Sequence, residues 1–340
     1  MRADFQRGGR GLNLNGKRVM ITGAGGFIGS HLVEMLVAEG ARVRALVNYN
    51  SFNFRGWLER SPVASQIEVV SGDIRDSRLC AQFTADQEVV FHLAALIAIP
   101  YSYKAPESYI DTNIKGTLNL CEAALASRVQ RIVHLSSSEV YGTACYVPID
   151  EQHPIQPQSP YAASKSGADA IVRSFHFSYG LPAVIARPFN TYGPRQSARA
   201  IVPTIIAQLA SKCHEVRLGE IHSTRDFTFV TDTCRALIDL ASVDTDGQVF
   251  NIGSNSEITI EALFTTIAEI MGVEARIVTD RERLRPAASE VMRLKCDNRK
   301  IASACAFEPK IPLAEGLRAT IEWFRQADNL SFYKSASYNV

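Results

Sequence analysis

Tyr161 and Lys165, in the run Tyr161-Ala162-Ala163-Ser164-Lys165, are the residues of this chain whose types and spacing best suit proton transfer. On a helix, positions four apart share one face a turn apart, so the ammonium can lie beside the phenol and stabilise its anion. A free phenol titrates near ~10, and bringing it to about 7 takes roughly 4 kcal/mol of preferential phenolate stabilisation at about 1.4 kcal/mol per unit. Upstream, Leu135-Ser136-Ser137-Ser138-Glu139-Val140-Tyr141-Gly142 supplies hydroxyls and one carboxylate. Ser137 is a candidate hydroxyl donor to the phenolate and Glu139 a candidate acid or base. Taken alone, a tyrosine-lysine pair also describes a solvated helix face, and Glu139 a helix-capping partner or surface acid.

What precedes the pair favours chemistry. Lys17-Arg18-Val19-Met20-Ile21-Thr22 reads as a short buried strand, followed by Gly23-Ala24-Gly25-Gly26-Phe27-Ile28-Gly29 and a helical pattern from Ser30 to Glu39. Strand, glycine turn and helix in that order aim backbone amides at a pyrophosphate, and Gly23, Gly26 and Gly29 carry the G-x-x-G-x-x-G spacing. The segment therefore predicts a dinucleotide site. A bound cationic nicotinamide would join Lys165 and Ser137 in acidifying the Tyr161 phenol.

The elements that must position these groups alternate along the chain. Further strands are expected over 41–47, 67–74, 89–95, 131–135 and 183–187, with helices over 106–126 and 161–179. That alternation predicts an α/β fold, a Rossmann-type doubly wound parallel sheet, with reactive groups at the carboxyl ends of its strands. His92 lies inside an apolar run and reads as packed. From Pro188 onward the composition shifts through a turn-rich linker, 188–196, into shorter elements. The expected division is a tail over 1–16, a dinucleotide-binding domain over 17–187, a smaller C-terminal α/β substrate lobe over 188–327 with some chain crossing back, and a tail over 328–340.

Bulk properties narrow the function classes. The chain has 340 residues, enough for one large domain or two smaller ones. Its net charge is +1, from 36 basic and 35 acidic residues, which asks for neither a nucleic-acid nor a membrane partner. Cys80, Cys121, Cys145, Cys213, Cys234, Cys296 and Cys305 form no C-x-x-C pair. They suggest reduced thiols in a cytoplasmic protein, and no metal site is expected. No apolar run approaches the roughly 20 residues that span a bilayer. The first residues read as a flexible tail and not a signal peptide. Asn329-Leu330-Ser331 matches a glycosylation sequon, which a cytoplasmic chain would not use.

Thr22 to Gly29, Ser136 to Gly142 and Tyr161 to Lys165 resemble the extended short-chain dehydrogenase/reductase family of nucleotide-sugar epimerases and dehydratases, and the likeness runs from about Lys17 to about Ala327. The resemblance implies a tightly bound, recycled NAD or NADP held by Gly23, Gly26, Phe27, Ile28, Gly29, Asn48, Asp73, Ile74, Leu93, Ala94, Ala95, Asn113, Tyr161, Lys165 and Pro188. Asn48, at the tip of the second strand, suits either cofactor, and Arg44 or Arg55 is within reach of a 2′-phosphate, so the reading leans only slightly to NAD. It implies a nucleotide-sugar substrate met by Asn190, Arg199, Val202, Arg225 and Arg285, arginine being suited to forked bonds with phosphate. Taken singly, Arg225 or Arg285 also describes a surface ion pair. Finally, it implies a homodimer through a four-helix bundle of the helices 106–126 and 161–179.

Within the family, Glu139 stands where dehydratases carry glutamate and simple 4-epimerases usually a small or hydroxyl residue. The implied reaction is 4,6-dehydration. Tyr161 takes a proton as C4 is oxidised, Glu139 removes the acidified C5 proton, water leaves from C6, and hydride returns to C6. Glucose-type 4,6-dehydratases carry Thr-Asp-Glu here, whereas this chain has Ser137-Ser138-Glu139, closer to the Thr-Ser-Glu of GDP-mannose-type enzymes. Ser138 cannot replace that aspartic acid, so Glu139 or a bound water must protonate the leaving hydroxyl. The stretches 49–53, 56–58 and 193–200 most resemble the dehydratases of legionaminic acid biosynthesis, which act on nucleotide-activated N-acetylglucosamine; here UDP or GDP is expected. The alternatives are a nucleotide-sugar 4-epimerase, then a UDP-glucuronate decarboxylase, whose tyrosine-lysine motif differs, and last a non-catalytic NAD(P)-sensing protein, which need not keep Glu139, Tyr161 and Lys165.

Overall fold

The structure, a computed structural model, describes residues 12–211 and 214–334; Cys213 and the outer parts of both expected tails, 1–11 and 335–340, lie outside the described residues. In chain order the first half contains β1 (Arg18–Thr22), α1 (Phe27–Ala38), β2 (Arg42–Asn48), β3 (Glu68–Gly72), α2 (Ser77–Thr84), β4 (Val89–His92), α3 (Ile99–Lys104), α4 (Pro106–Tyr109), α5 (Gly116–Ala126), β5 (Arg131–Leu135), α6 (Pro160–Tyr179) and β6 (Ala183–Pro188). Then come β7 (Asn190–Tyr192), α7 (Ile201–Ala210), β8 (Glu215–Leu218), β9 (Thr224–Arg225), β10 (Phe227–Phe229), α8 (Val230–Ser242) and β11 (Val249–Ile252).

Seven strands form one parallel sheet in the order β11-β6-β5-β4-β1-β2-β3. This is the doubly wound α/β architecture expected from the alternation of elements. Successive residues of a strand face opposite sides, and here both sides are apolar. Val19, Ile21, Val89 and Phe91 pack with Leu32 and Leu36 of α1 and Leu237 and Ala241 of α8. Met20, Val90 and Ile132 pack on the other face with Cys80, Leu120, Val172 and Phe175. Helices on both faces demand such continuous apolar strands, and each fully buried aliphatic or Phe side chain contributes about 1.5–3 kcal/mol. Strand order reverses between β1 and β4, and Thr22 pairs with His92 at their carboxyl ends. A ligand crevice opens at that point in such sheets.

Helix α6 is fixed at both ends by its own sequence. The Ser159 hydroxyl accepts from Ala162 N, Pro160 occupies the first turn, and Gly180 closes the helix at φ 73°. Serine and proline at the start and a left-handed glycine at the end are the residues each position favours. They set the phase in which Tyr161 and Lys165 face the sheet.

Four expectations need correction. The helix expected over 106–126 is interrupted by a π-helical turn, Ile110–Lys115, whose wider turn re-aims Asn113 inward. The linker 188–196 contains β7, which pairs with β10. The inner part of the first tail is packed: Leu12 N donates to Ser242 O at 2.7 Å and Leu14 is buried. The start of the second is packed too, since Trp57 meets Trp323 and Phe332 edge-on and Tyr333 Oη donates to Gln196 O at 2.6 Å. Apolar Leu and aromatic side chains inside polar stretches explain both. After the short pairs β7–β10 and β8 with Arg276–Thr279, α8 lies against α1 and β11 pairs with β6.

Candidate active site

The glycine turn leaves no room for side chains. A Cβ on Gly29 would sit 2.3 Å from Gly23 O, and one on Gly23, at φ 70°, would sit 2.9 Å from Ala94 N. Gly26 begins α1 with no side-chain cap, so the first amides of a twelve-residue helix are open to an anion. Phe27 and Ile28 occupy that first turn.

A hydrogen-bond chain fixes the turn to its neighbours. Thr22 Oγ1 accepts from Leu93 N and Ala94 N, both at 3.0 Å, so its own proton goes to His92 Nδ1 at 2.8 Å. His92 is then protonated on Nε2, which donates to Thr117 Oγ1 at 3.0 Å, and Thr117 donates to Asn113 O at 2.6 Å. Burial first, then the nearby His134 and Lys165, hold His92 well below the usual histidine range. It is a neutral packed histidine, as its apolar surroundings predict. The Asn113 side chain is engaged with Leu96 N and O and with Ser164 Oγ. It braces α6 against the loop after β4 and leaves no amide donor for a ligand.

Where the adenosine is expected, Asn48 is exposed, Ile74 is buried, and Asp73 is bridged by Arg75 at 2.5 Å, a bond that holds its carboxyl below the usual range. Arg44 is turned away, its guanidinium engaged with Glu68, Phe83 O and Ala85 O. It is therefore no candidate for a 2′-phosphate. The backbone of Arg55 packs on Gly25, and Trp57 N donates to Gly25 O at 2.9 Å. The cradle, its capless helix and the crevice above Ala94 and Ala95 fit a dinucleotide.

Lys165 is buried and donates to Leu135 O at 2.6 Å. Its hydrogen bond goes to the strand and not, as the spacing suggests, to the phenol. Burial lowers it to about 8, while the Asp169 carboxylate one turn along pulls it back up. Tyr161 has the Ser137 hydroxyl near its phenol and meets Tyr109 edge-on at 6.3 Å. Burial drives its phenol above the ordinary value, and the nearby Ser137 hydroxyl works against this. A cation held in the crevice would lower the phenol further. Beneath these residues Arg187 binds Asp169 through Nε at 3.0 Å and donates to Tyr141 Oη at 3.0 Å, and Tyr141 donates to Asn251 Oδ1 at 2.7 Å. The i+4 spacing of Asp169 from Lys165 and an arginine inside the apolar strand β6 are the signals that could have revealed this brace.

Glu139 sits on a 3₁₀ turn, Ser138–Tyr141, whose cap is Ser137: Oγ accepts from Glu139 N at 3.2 Å. Ser138 and Tyr141 are buried beneath the turn, and Gly142 leaves it at φ 66°, where a Cβ would strike Gln156 O. Glu139 is half-buried, and its charge acts on both Tyr161 and Arg225. The Ser137 hydroxyl thus caps the turn that carries the carboxylate and acts on the phenol.

Arg225 is buried and pairs with Glu290 at 3.2 Å; Arg285 Nε lies 3.8 Å from the same carboxylate. Asp226 secures this region from behind, accepting from Ser254 N and Oγ at 2.7 Å and from Cys296 N at 3.0 Å. The charge of Arg199, which is exposed, reaches Tyr109. Asn190 Oδ1 is buried without a partner. Val202 departs from expectation: its side chain lies in the core, so only its backbone, in the first turn of α7, could face a ligand. Pro188 ends β6. Glu290 was not foreseen, because Arg225, the arginine it hydrogen-bonds, lies 65 positions away in the chain.

The family model described as GDP-mannose 4,6 dehydratase matches residues 20–320. A dTDP-glucose 4,6-dehydratase of Actinoplanes sp. is 31% identical over 318 residues, covering 91% of this chain and 98% of its own. A UDP-glucose 4-epimerase of Mycolicibacterium smegmatis is 34% identical over 316 residues, with 91% and 98% covered. Among solved structures, a dTDP-glucose 4,6-dehydratase from Streptomyces venezuelae with NAD bound superposes with a TM-score of 0.84 at 30% identity, covering 93% of this chain and 99% of that one.

Proposed function

Because the chain belongs to the GDP-mannose 4,6-dehydratase family, within the extended short-chain dehydrogenases/reductases, we propose that it is an NAD(P)-dependent nucleotide-sugar 4,6-dehydratase. The observation that carries this reading is the half-buried Glu139 carboxylate on a Ser137-capped turn, close enough to Tyr161 and Arg225 for its charge to act on both. Tyr161 Oη accepts the sugar's C4 hydroxyl proton while Lys165 and Ser137 support the phenolate. Glu139 then takes the C5 proton, which the new ketone has acidified, and returns it, directly or through a water, to the departing C6 hydroxyl. When bound, the nicotinamide cofactor would supply reversible hydride transfer, from C4 and back to C6. As hydride returns to C6, C5 takes back a proton, balanced by the one Tyr161 accepted at the first step, so the product is a 4-keto-6-deoxy sugar with no net redox change. Ser138, buried under the turn, acts only by holding it.

The finer reading is a UDP- or GDP-activated N-acetylglucosamine substrate met by Asn190, Arg199, Arg225, Arg285 and the Val202 backbone, and NAD as the cofactor. A cytoplasmic homodimer joined through the helical run 106–126 and α6 belongs to the same proposal; among the described residues no helix is long and apolar enough to cross a membrane. A monomeric mass at micromolar concentration would count against the dimer.

The epimerase relative favours a second reading, in which the 4-keto sugar turns over and is reduced from its other face. Incubation with UDP-, GDP-, CDP- and dTDP-sugars, followed by mass spectrometry, separates the two. The dehydratase product has lost one water and absorbs in alkali. An isomer of unchanged mass would establish the epimerase instead.

A pH effect follows from the Lys165 setting. Lys165 must stay charged to support the phenolate, and its charge is lost as pH rises through about 8, so turnover declines on the alkaline side. Asp169→Asn removes the group that raises Lys165 and should move this alkaline limb to lower pH. Profiles of kcat/KM for both proteins check it, and a limb that stays in place would detach Asp169 from Lys165.

A further inference from the structure

The two arginines proposed for the substrate's diphosphate face a carboxylate of the protein's own. Arg225 donates Nη1 to Thr224 O at 2.9 Å and Nη2 to Glu290 Oε1 at 3.2 Å. Arg285 approaches Glu290 Oε2 only to 3.8 Å, and its Nη1 is buried with no acceptor. One carboxylate thus serves two guanidiniums and leaves a buried donor unmet. Two planar forks can engage more acceptor oxygens than a carboxylate offers, and a diphosphate has them.

We propose that Glu290 is a built-in counter-anion, a placeholder that holds Arg225 and Arg285 in position until a nucleoside diphosphate displaces it. The inference rests on the nucleotide-sugar reading of the site. Without a counter-charge, a guanidinium as buried as Arg225 would be left unpaired in a poorly solvated place, which is costly. With Glu290 in contact, the pair is kept neutralised, and an incoming anion must compete for it.

The neighbouring bonds indicate what moves. Thr143 Oγ1 donates to Glu290 O at 3.3 Å, Gln158 Nε2 donates to Ala288 O at 3.0 Å, and Ser289 Oγ donates to Gln158 O. Tyr103 Oη in turn donates to Ser289 Oγ at 2.6 Å. The backbone of residues 288–290 is therefore tied to the loop that follows Glu139. Displacement is a rotation of the Glu290 side chain, with the main chain left in place.

The test is calorimetric titration of UDP, GDP, CDP and dTDP into the NAD-loaded wild type and Glu290→Gln. Glutamine keeps the volume and an acceptor oxygen for Arg225 but removes the competing charge. The variant should bind the preferred diphosphate more tightly, by about tenfold if about 1.4 kcal/mol of competition is relieved. A purely structural Glu290 predicts the opposite sign, because slackened arginines bind more weakly. Equal or weaker binding by the variant overturns the placeholder alone. If neither protein binds any of the four diphosphates, the nucleotide-sugar reading fails, and the placeholder with it.

Discussion

Tyr161→Phe is expected to leave a folded protein that holds its cofactor and turns over substrate more slowly by at least the 10²–10⁴-fold typical of a lost acid or base. The substitution removes one oxygen. The ring remains, with its edge-on contact to Tyr109, and Ser137 Oγ still receives Glu139 N, so the turn carrying the carboxylate keeps its cap. The cofactor cradle is built from the glycine turn and the ends of β1 and β4, which position 161 does not touch. Cofactor content by absorbance, beside turnover of the preferred sugar nucleotide, checks both halves. Substantial turnover in the variant would remove Tyr161 as proton acceptor; loss of cofactor would show that the phenol also builds the cradle.

Glu139→Gln separates the two chemical stages. Oxidation at C4 needs the phenol and the hydride acceptor, both unaltered, so substrate should still be oxidised. Removal of the C5 proton needs a carboxylate, which an amide cannot replace, so water loss should fall by about 10²–10⁴-fold. The backbone bond to Ser137 survives, since it uses Glu139 N. Reduced cofactor should therefore accumulate in a single turnover, visible by its absorbance, with no loss of mass from the sugar. Dehydration at the wild-type rate would take Glu139 out of the mechanism.

The parts legible in the sequence are those encoded locally. The glycine turn, the Tyr161–Lys165 spacing and the alternating strands and helices each depend on residues close together in the chain, and helix and strand periods translate them directly into geometry. The parts that escaped are contacts across space. Lys165 answers to Leu135 O on another element, Arg225 to Glu290 65 positions away, and Arg44, which looked available for a phosphate, is taken by Glu68 and two carbonyls. Asn113 is expected at the cofactor from resemblance, and a π-helical turn with no evident marker in the sequence sends its amide to Leu96 and Ser164. Val202 was read as a pocket residue from resemblance, and the amphipathic helix that contains it turns its side chain into the core.

The place of β11 in the sheet bears on how the protein is born. Strand β6 is finished at Pro188, but its outer neighbour and the helix that shields it come from Val230–Ile252. A ribosome adding about 5–20 residues per second leaves that edge bare for several seconds, with Val184 and Ala186 uncovered on one side. The nascent chain is then at its stickiest after its nucleotide cradle has been translated and before its border is sealed, which makes that interval the moment when a holding chaperone would matter most to yield.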